Sequence, residues 1–229
     1  MQHASQPADG ANTDENDSHV MHDGVGRRRP KPGERREQIL QTLASMLEQP
    51  DGERITTAAL AARLQVSEAA LYRHFASKAQ MFEGLIDFIE RTIFSRINKT
   101  LETDSNPASS SAIHLGAHRA RSIVTFVIQF AETNPGMARV MVGDALVLEK
   151  ERLQQRMNLV FDKIESALKQ CLRDGAVQPA SDTPTVDAQV GASVLVAFIS
   201  GRLQRFVRTG YRRAPSEHLE LALAQMLHR

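Results

Sequence analysis

Between residues 81 and 97 the apolar side chains fall at Met81, Phe82, Leu85, Ile86, Ile89, Ile93 and Ile97. Steps of one, three and four put all of them on one stripe of an α-helix for about five turns. A strand would send half of the set to the wrong face, so this stretch can be buried only as helix. A stripe that long needs apolar partners, and the rest of the chain offers them in the same period. Ile39, Leu40, Leu43 and Leu47 mark one face of a helix that opens at Glu34 and stops at "QPDG", 49–52. A mostly apolar helix follows from about Ala112 to Glu132 and is broken by "NPG" at 134–136. A short helix starts near Met137. A charged amphipathic one runs from about Glu149 to Arg173 on Leu153, Met157, Val160, Phe161, Ile164 and Leu168. Two more span about Pro184 to Thr209 and Pro215 to His228. No strand of useful length and no internal repeat is legible. The predicted fold is all-α with about nine helices.

The segment before the long stripe carries the chemistry. "TTAALAARL" at 56–64 is a short helix with Thr56 or Thr57 as its N-cap. After the turn "QVS", Ser67 can cap a second helix running to Phe75. Ser77-x-x-Gln80 is a capping box that opens a third. Two short helices joined by so tight a turn make a helix-turn-helix. Ala61 and Ala62 let them approach, and Leu60, Leu64, Val66, Leu71 and Phe75 supply a shared core. Glu68, Ala69, Tyr72 and Arg73 are left on the other side. Tyr72, Arg73 and His74, three bulky polar residues in a row, fan across more than half of the helix surface and cannot all be buried.

In such motifs the second helix enters the major groove of DNA, N-terminal residues first. Arg73 can pair bidentately with guanine or grip phosphate, and Ala69 can touch a thymine methyl. Tyr72, His74 and Lys78 can donate to phosphates. Lys78 also lies in the first turn of the next helix, where free N–H groups favour an anion. The candidate DNA-binding set is Thr56, Thr57, Ser67, Glu68, Ala69, Tyr72, Arg73, His74 and Lys78. The plainer alternative makes Tyr72 and His74 half-buried packing residues; it leaves the caps, the turn and Lys78 without a common reason.

Charge supports the same direction. The chain balances 28 Lys and Arg against 27 Asp and Glu, yet residues 1–26 hold Asp9, Asp14, Glu15, Asp17 and Asp23 and no Lys or Arg. The acidic tail hides a basic body, which fits nucleic acid or an acidic protein. Three segments follow: a disordered tail over 1–26, a DNA-binding domain with a basic arm over 27–78, and a helical dimerisation and partner-binding domain over 79–229. "RRRPKPG" at 27–33 reads as a minor-groove arm or as a solvated linker. Cys171 is the only cysteine, so no intramolecular disulfide can form and a reducing cytosol is expected. There is no signal-peptide pattern at the N-terminus. The longest apolar run, 190–201, is shorter than the ~20 residues of a bilayer span.

His114 and His118 have a zinc-compatible i,i+4 spacing but no third ligand, so a solvated pair is the better reading. No nucleotide-binding, hydrolase or metalloprotease motif is present. No enzyme, cofactor or metal is expected. Ser193, Ala197 and Gly201 form a small-residue stripe that fits either intrachain packing or a helix of a second chain.

The stretch "ITTAALAARLQVSEAALYRHFASKAQMF" resembles the DNA-binding domain of TetR-type transcription regulators, with their Tyr-x-His-Phe-x-x-Lys ending. "LIDFIE", "RIN", "RFVR" and above all "NPGMARVMVGDALVLEKERLQQRMN" are similar to one branch of that family, the nucleoid occlusion factors. The likeness runs from about Glu34 to the C-terminus. It implies a homodimer on palindromic double-stranded DNA, with higher-order assembly on DNA left open. It implies that the DNA-bound form takes the C-terminal tail of the division protein FtsZ and antagonises its filaments. The tail would lie between the long helix and the next one, at Phe88, Arg96 and Asn134. The resemblance makes the last two helices a dimer bundle, which favours the interface reading of Ser193, Ala197 and Gly201. Two positions depart from the pattern. Gln65 stands where the turn usually has Gly, so the turn is strained or differently shaped. Thr133 stands where relatives have Arg. A ligand-responsive repressor and a pure protein adaptor remain the competing functions.

Overall fold

The computed structural model describes residues 33–49, 55–103, 112–174 and 182–227. The acidic tail and basic segment up to residue 32 and the segments 50–54, 104–111, 175–181 and 228–229 lie outside them. The described residues form α1 (Glu34–Leu47), α2 (Thr57–Arg63), α3 (Glu68–Tyr72), α4 (Lys78–Thr103), α5 (Ala112–Thr133), α6 (Pro135–Met141), α7 (Glu151–Asp174), α8 (Pro184–Arg208) and α9 (Leu219–Leu227). A single 3-10 turn, Asp144–Leu146, joins α6 to α7. The fold is all-α, and no strand occurs among the described residues.

The stripe on α4 is the spine of the molecule. Met81, Phe82, Leu85, Ile86, Ile89, Ile93 and Ile97 are all buried. The helix packs against α1, α5, α6 and α7. Gly84 makes the α1 contact close: a Cβ there would lie 3.0 Å from Leu40 Cδ2. α7 and α8 pack along each other, and α5 lies against both. Beside this core runs a ladder of ion pairs. α4 supplies the carboxylates and α7 the cations: Arg152–Glu83 at 2.8 Å, Arg156–Asp87 at 2.5 Å, and Lys163–Glu90. These pairs are solvated, so each contributes well under about 1 kcal/mol.

α6 bridges the N-terminal helices to the bundle. Gly136 meets α1 so tightly that a Cβ would fall 2.2 Å from the Ala44 carbonyl oxygen. Arg139 donates to the carbonyls of Leu47 and Gln49, each at 3.2 Å, and pairs with Asp144 at 2.6 Å. The Tyr211 hydroxyl donates to the same Leu47 carbonyl at 3.3 Å. The orphan carbonyls at the end of α1 are thus satisfied from the far part of the chain. Burial pushes the Tyr211 phenol above its ordinary range, which keeps it a neutral donor.

Three helix boundaries and one burial differ from expectation. The second short helix stops at Tyr72, not Phe75, because the backbone turns through Arg73 and His74 and the His74 carbonyl is taken by Arg36 at 3.0 Å. α6 begins at Pro135, since proline suits the first helical position. α9 begins at Leu219, not Pro215. His218 has φ +53°, a left-handed conformation that no α-helix can run through. Finally, only Ala61 of the Ala61–Ala62 pair is buried; Ala62 is exposed.

α8 buries Ala188, Ala192, Leu195, Ile199, Leu203 and Phe206 and leaves its other face bare. By length and composition it is the one described helix that could cross a bilayer, although its longest unbroken apolar run is short. Its buried stripe packs against α7 and α5, as the core helix of a bundle does.

Candidate nucleic-acid interface and partner groove

The helix pair α2–α3 is built from its caps. Thr56 accepts from Ala59 N–H at 3.1 Å and Ser67 from Ala70 N–H at 3.3 Å. Between the helices, Val66 N–H reaches the Ala61 carbonyl and Gln65 N–H that of Ala62, both at 3.0 Å. This is a Schellman closure, with Gln65 in its left-handed position at φ +54°. Gln65 therefore adopts the glycine conformation without being glycine: the turn has the ordinary shape, and the strain is real. Leu60, Leu71 and Phe75 are buried, with Leu64 and Val66 partly so.

The outward face is open. Glu68, Ala69, Tyr72, Arg73 and His74 are all exposed, Tyr72 by 46%. Two of them are also fixed. Thr57 donates to Glu68 at 2.7 Å, and the Tyr72 hydroxyl reaches Thr57 Oγ1 at 3.5 Å. Thr57, Glu68 and Tyr72 therefore lock α3 onto α2, and Arg73 stands beside them. Arg36, which the sequence reading missed, lies 4.1 Å over the Phe75 ring while it holds the His74 carbonyl. A long-range stack of this kind has no local sequence signal. α4 opens as a near capping box: Gln80 N–H donates to Ser77 Oγ, and Gln80 Oε1 accepts from Ala76 N–H.

Lys78 stands apart from the rest. Its ammonium is bonded to Glu149, just before α7, in a pair whose side chains are only 20% and 10% exposed. It also lies 5.6 Å from the Phe82 ring.

The second surface lies between α4 and α5. Phe88 is 40% exposed, and its ring meets Phe130 at 6.5 Å. Phe130 stacks on Phe126 at 6.4 Å, and the Arg96 guanidinium lies 5.8 Å from the Phe126 ring. The result is a row of three rings ending in a cation. Asn134, on the turn after α5, donates to the Phe130 carbonyl at 2.7 Å and to Thr133 at 3.1 Å. The contacts thus link Phe88 and Arg96 on α4 through two rings of α5, partly buried Phe126 and buried Phe130. The helical period of α5 could have found these two, but not their facing α4. Thr133 turns its hydroxyl back onto the Gln129 carbonyl at 2.8 Å, so it contributes no charge.

A third surface is the bare face of α8. Ser193, Ala197 and Gly201 are exposed, with Val186, Val190 and Val194 beside them. A Cβ on Gly201 would meet nothing within 4 Å, so packing within this chain does not explain the small residues. The His114 side chain lies outside the described residues. Among those residues no cluster of metal-ligating side chains occurs.

An N-terminal helix-turn-helix on a helical bundle is the layout of a TetR-type regulator. Residues 39–85 match the family of bacterial regulatory proteins, tetR family, and residues 116–229 match the SlmA-like family of tetracyclin repressor-like C-terminal domains. Solved structures share the fold. A transcriptional regulator from Rhodococcus superposes with a TM-score of 0.62 at 19% identity, covering 84% of this chain and 93% of that one. AibR, solved with isovaleryl coenzyme A and operator DNA, gives 0.61 at 15% identity, covering 85% and 98%. The curated relatives narrow the class. The nucleoid occlusion factor SlmA of Idiomarina loihiensis is 49% identical, over 80% of this chain and 89% of that protein. That of Marinomonas sp. is 48% identical, over 82% and 90%. The chain belongs to the SlmA family of nucleoid occlusion factors.

Proposed function

We propose that this protein is a sequence-specific DNA-binding nucleoid occlusion factor. In this reading residues 27–78 bind a palindromic chromosomal site, and residues 79–229 dimerise and bind the partner. Ala69, Tyr72 and Arg73 face the major groove; Thr56, Thr57, Ser67, Glu68 and His74 position that face or contact the backbone. The protein works in the cytoplasm, held on the nucleoid. Bound there, it takes the C-terminal tail of FtsZ into the α4–α5 groove and blocks division-ring assembly over the DNA. Ser193, Ala197 and Gly201 receive the second copy of the chain.

The observation that carries the partner assignment is the row Phe88, Phe130, Phe126 and Arg96. Half-exposed Phe88, partly buried Phe126 and the exposed Arg96 guanidinium, backed by buried Phe130, suit an extended or helical peptide of mixed apolar and acidic character. Sedimentation of FtsZ with GTP tests the proposal, with the protein alone and with a DNA duplex that it binds. Loss of pelleted FtsZ only with the protein–DNA complex is the expected result. An unchanged pellet in both cases overturns the FtsZ assignment.

One observation favours a second reading, a ligand-responsive repressor. An open cavity of about 800 Å³ lies among α6, α7 and α8, lined by Asp144, Asn158, Gln204 and Arg208 as well as Met157 and Phe161. Release of bound DNA by a small molecule in that cavity would support it.

A further inference from the structure

The geometry points to Glu149 as an internal competitor for the DNA backbone. We propose that its carboxylate occupies Lys78 in the DNA-free protein, and that a DNA phosphate must displace it before Lys78 can bind. This rests on the reading that α3 docks on DNA.

Lys78 is the first residue of α4 and follows the exposed face of α3 in the chain. Its ammonium is bonded to Glu149, 71 residues away. Three carboxylates of α4 make ion pairs of the opposite polarity with α7, Glu83, Asp87 and Glu90 facing Arg152, Arg156 and Lys163. At the end next to the helix-turn-helix the polarity is reversed, Lys78 of α4 facing Glu149 just before α7. That reversed pair is also the least exposed of the set, at 20% and 10%, so its loss is less screened by water than the loss of any other. One cation cannot fully serve a carboxylate and a phosphate at once. The surrounding segment can yield: Leu146 and Leu153 anchor it on either side, while Val147 and Leu148 are exposed. Glu149 can therefore withdraw without uncovering the core.

The test uses the full chain, with a duplex recovered by selection from a random pool. Binding is measured against salt for wild type, Lys78→Ala, Glu149→Gln and the double variant, each checked by thermal unfolding. Glu149→Gln keeps an oxygen for Lys78 and preserves the fold. Lys78→Ala should weaken wild-type binding about twofold but the Glu149→Gln protein about tenfold. Glu149→Gln alone should bind more tightly and steepen the log–log salt slope by about one unit, since the Lys78–phosphate contact then releases a DNA-condensed cation with no freed carboxylate to take one up. Equal losses in the two backgrounds overturn the proposal, because Glu149 would then act only as bulk charge. A larger loss in wild type also overturns it, because Glu149 would then aim Lys78 at the DNA. If selection recovers no duplex, the DNA reading itself fails and the proposal with it, an outcome distinct from the other two.

Discussion

Gln65 carries a backbone penalty at the centre of the helix pair. A non-glycine residue in the left-handed region costs about 1 kcal/mol. Gln65→Gly should therefore stabilise the protein, by less than that figure because glycine also frees the unfolded chain. A urea titration with unchanged slope and a higher midpoint is the expected outcome. Arg73 is exposed at the end of α3, and in the proposed function it reads a base. Arg73→Ala should weaken specific DNA binding by about 1–3 kcal/mol and relax preference at one base pair; an unchanged footprint would remove Arg73 from the interface. Cys171 behaves differently again. Burial pushes its thiol from 9.0 to about 11, so the fold prefers the neutral form. The stabilisation is complete below pH 9 and fades as pH rises towards 11. Wild type and Cys171→Ala should differ by a constant amount of stability below pH 9, from the lost packing, and the difference should change only across that window; the thiol should resist alkylation at neutral pH. At this scale the sequence was clear wherever the chemistry is local. The caps at Thr56 and Ser67 and the odd Gln65 could be read directly. The partners of Lys78, Arg36 and Tyr211 could not, because each is supplied by a remote segment.

Among elements, α4 was the most legible, because its apolar stripe recurs for turn after turn. α9 was the least, because a left-handed histidine inside a polar turn leaves no periodic mark. Pairing of elements was legible only through resemblance: nothing in the period of α5 says that Phe126 and Phe130 face α4. The groove those helices make gives a separable prediction. Phe88→Ala removes a half-exposed ring, so DNA binding should remain while inhibition of FtsZ assembly is lost in the sedimentation assay. Normal inhibition by that variant would exclude the groove. The bare face of α8 gives another. Ala197→Asp adds a charge on an exposed position, so helix content by circular dichroism should hold while sedimentation velocity shifts from dimer to monomer. A dimer that survives would place the interface elsewhere.

The whole molecule joins the helix-turn-helix to the α4–α5 surface through close contacts. α6 touches α1 at Gly136 and reaches it again through Arg139, while Asn134, one residue before α6, is bonded to the end of α5. The two surfaces are therefore ends of one packed body. The cap on α1 also sets an order in time. Arg139 and Tyr211 lie 92 and 164 residues downstream of the Leu47 carbonyl that they satisfy. Synthesis from the N-terminus delivers α1 and the helix pair it supports first, so the Leu47 carbonyl depends on water until Arg139 and then Tyr211 have been made.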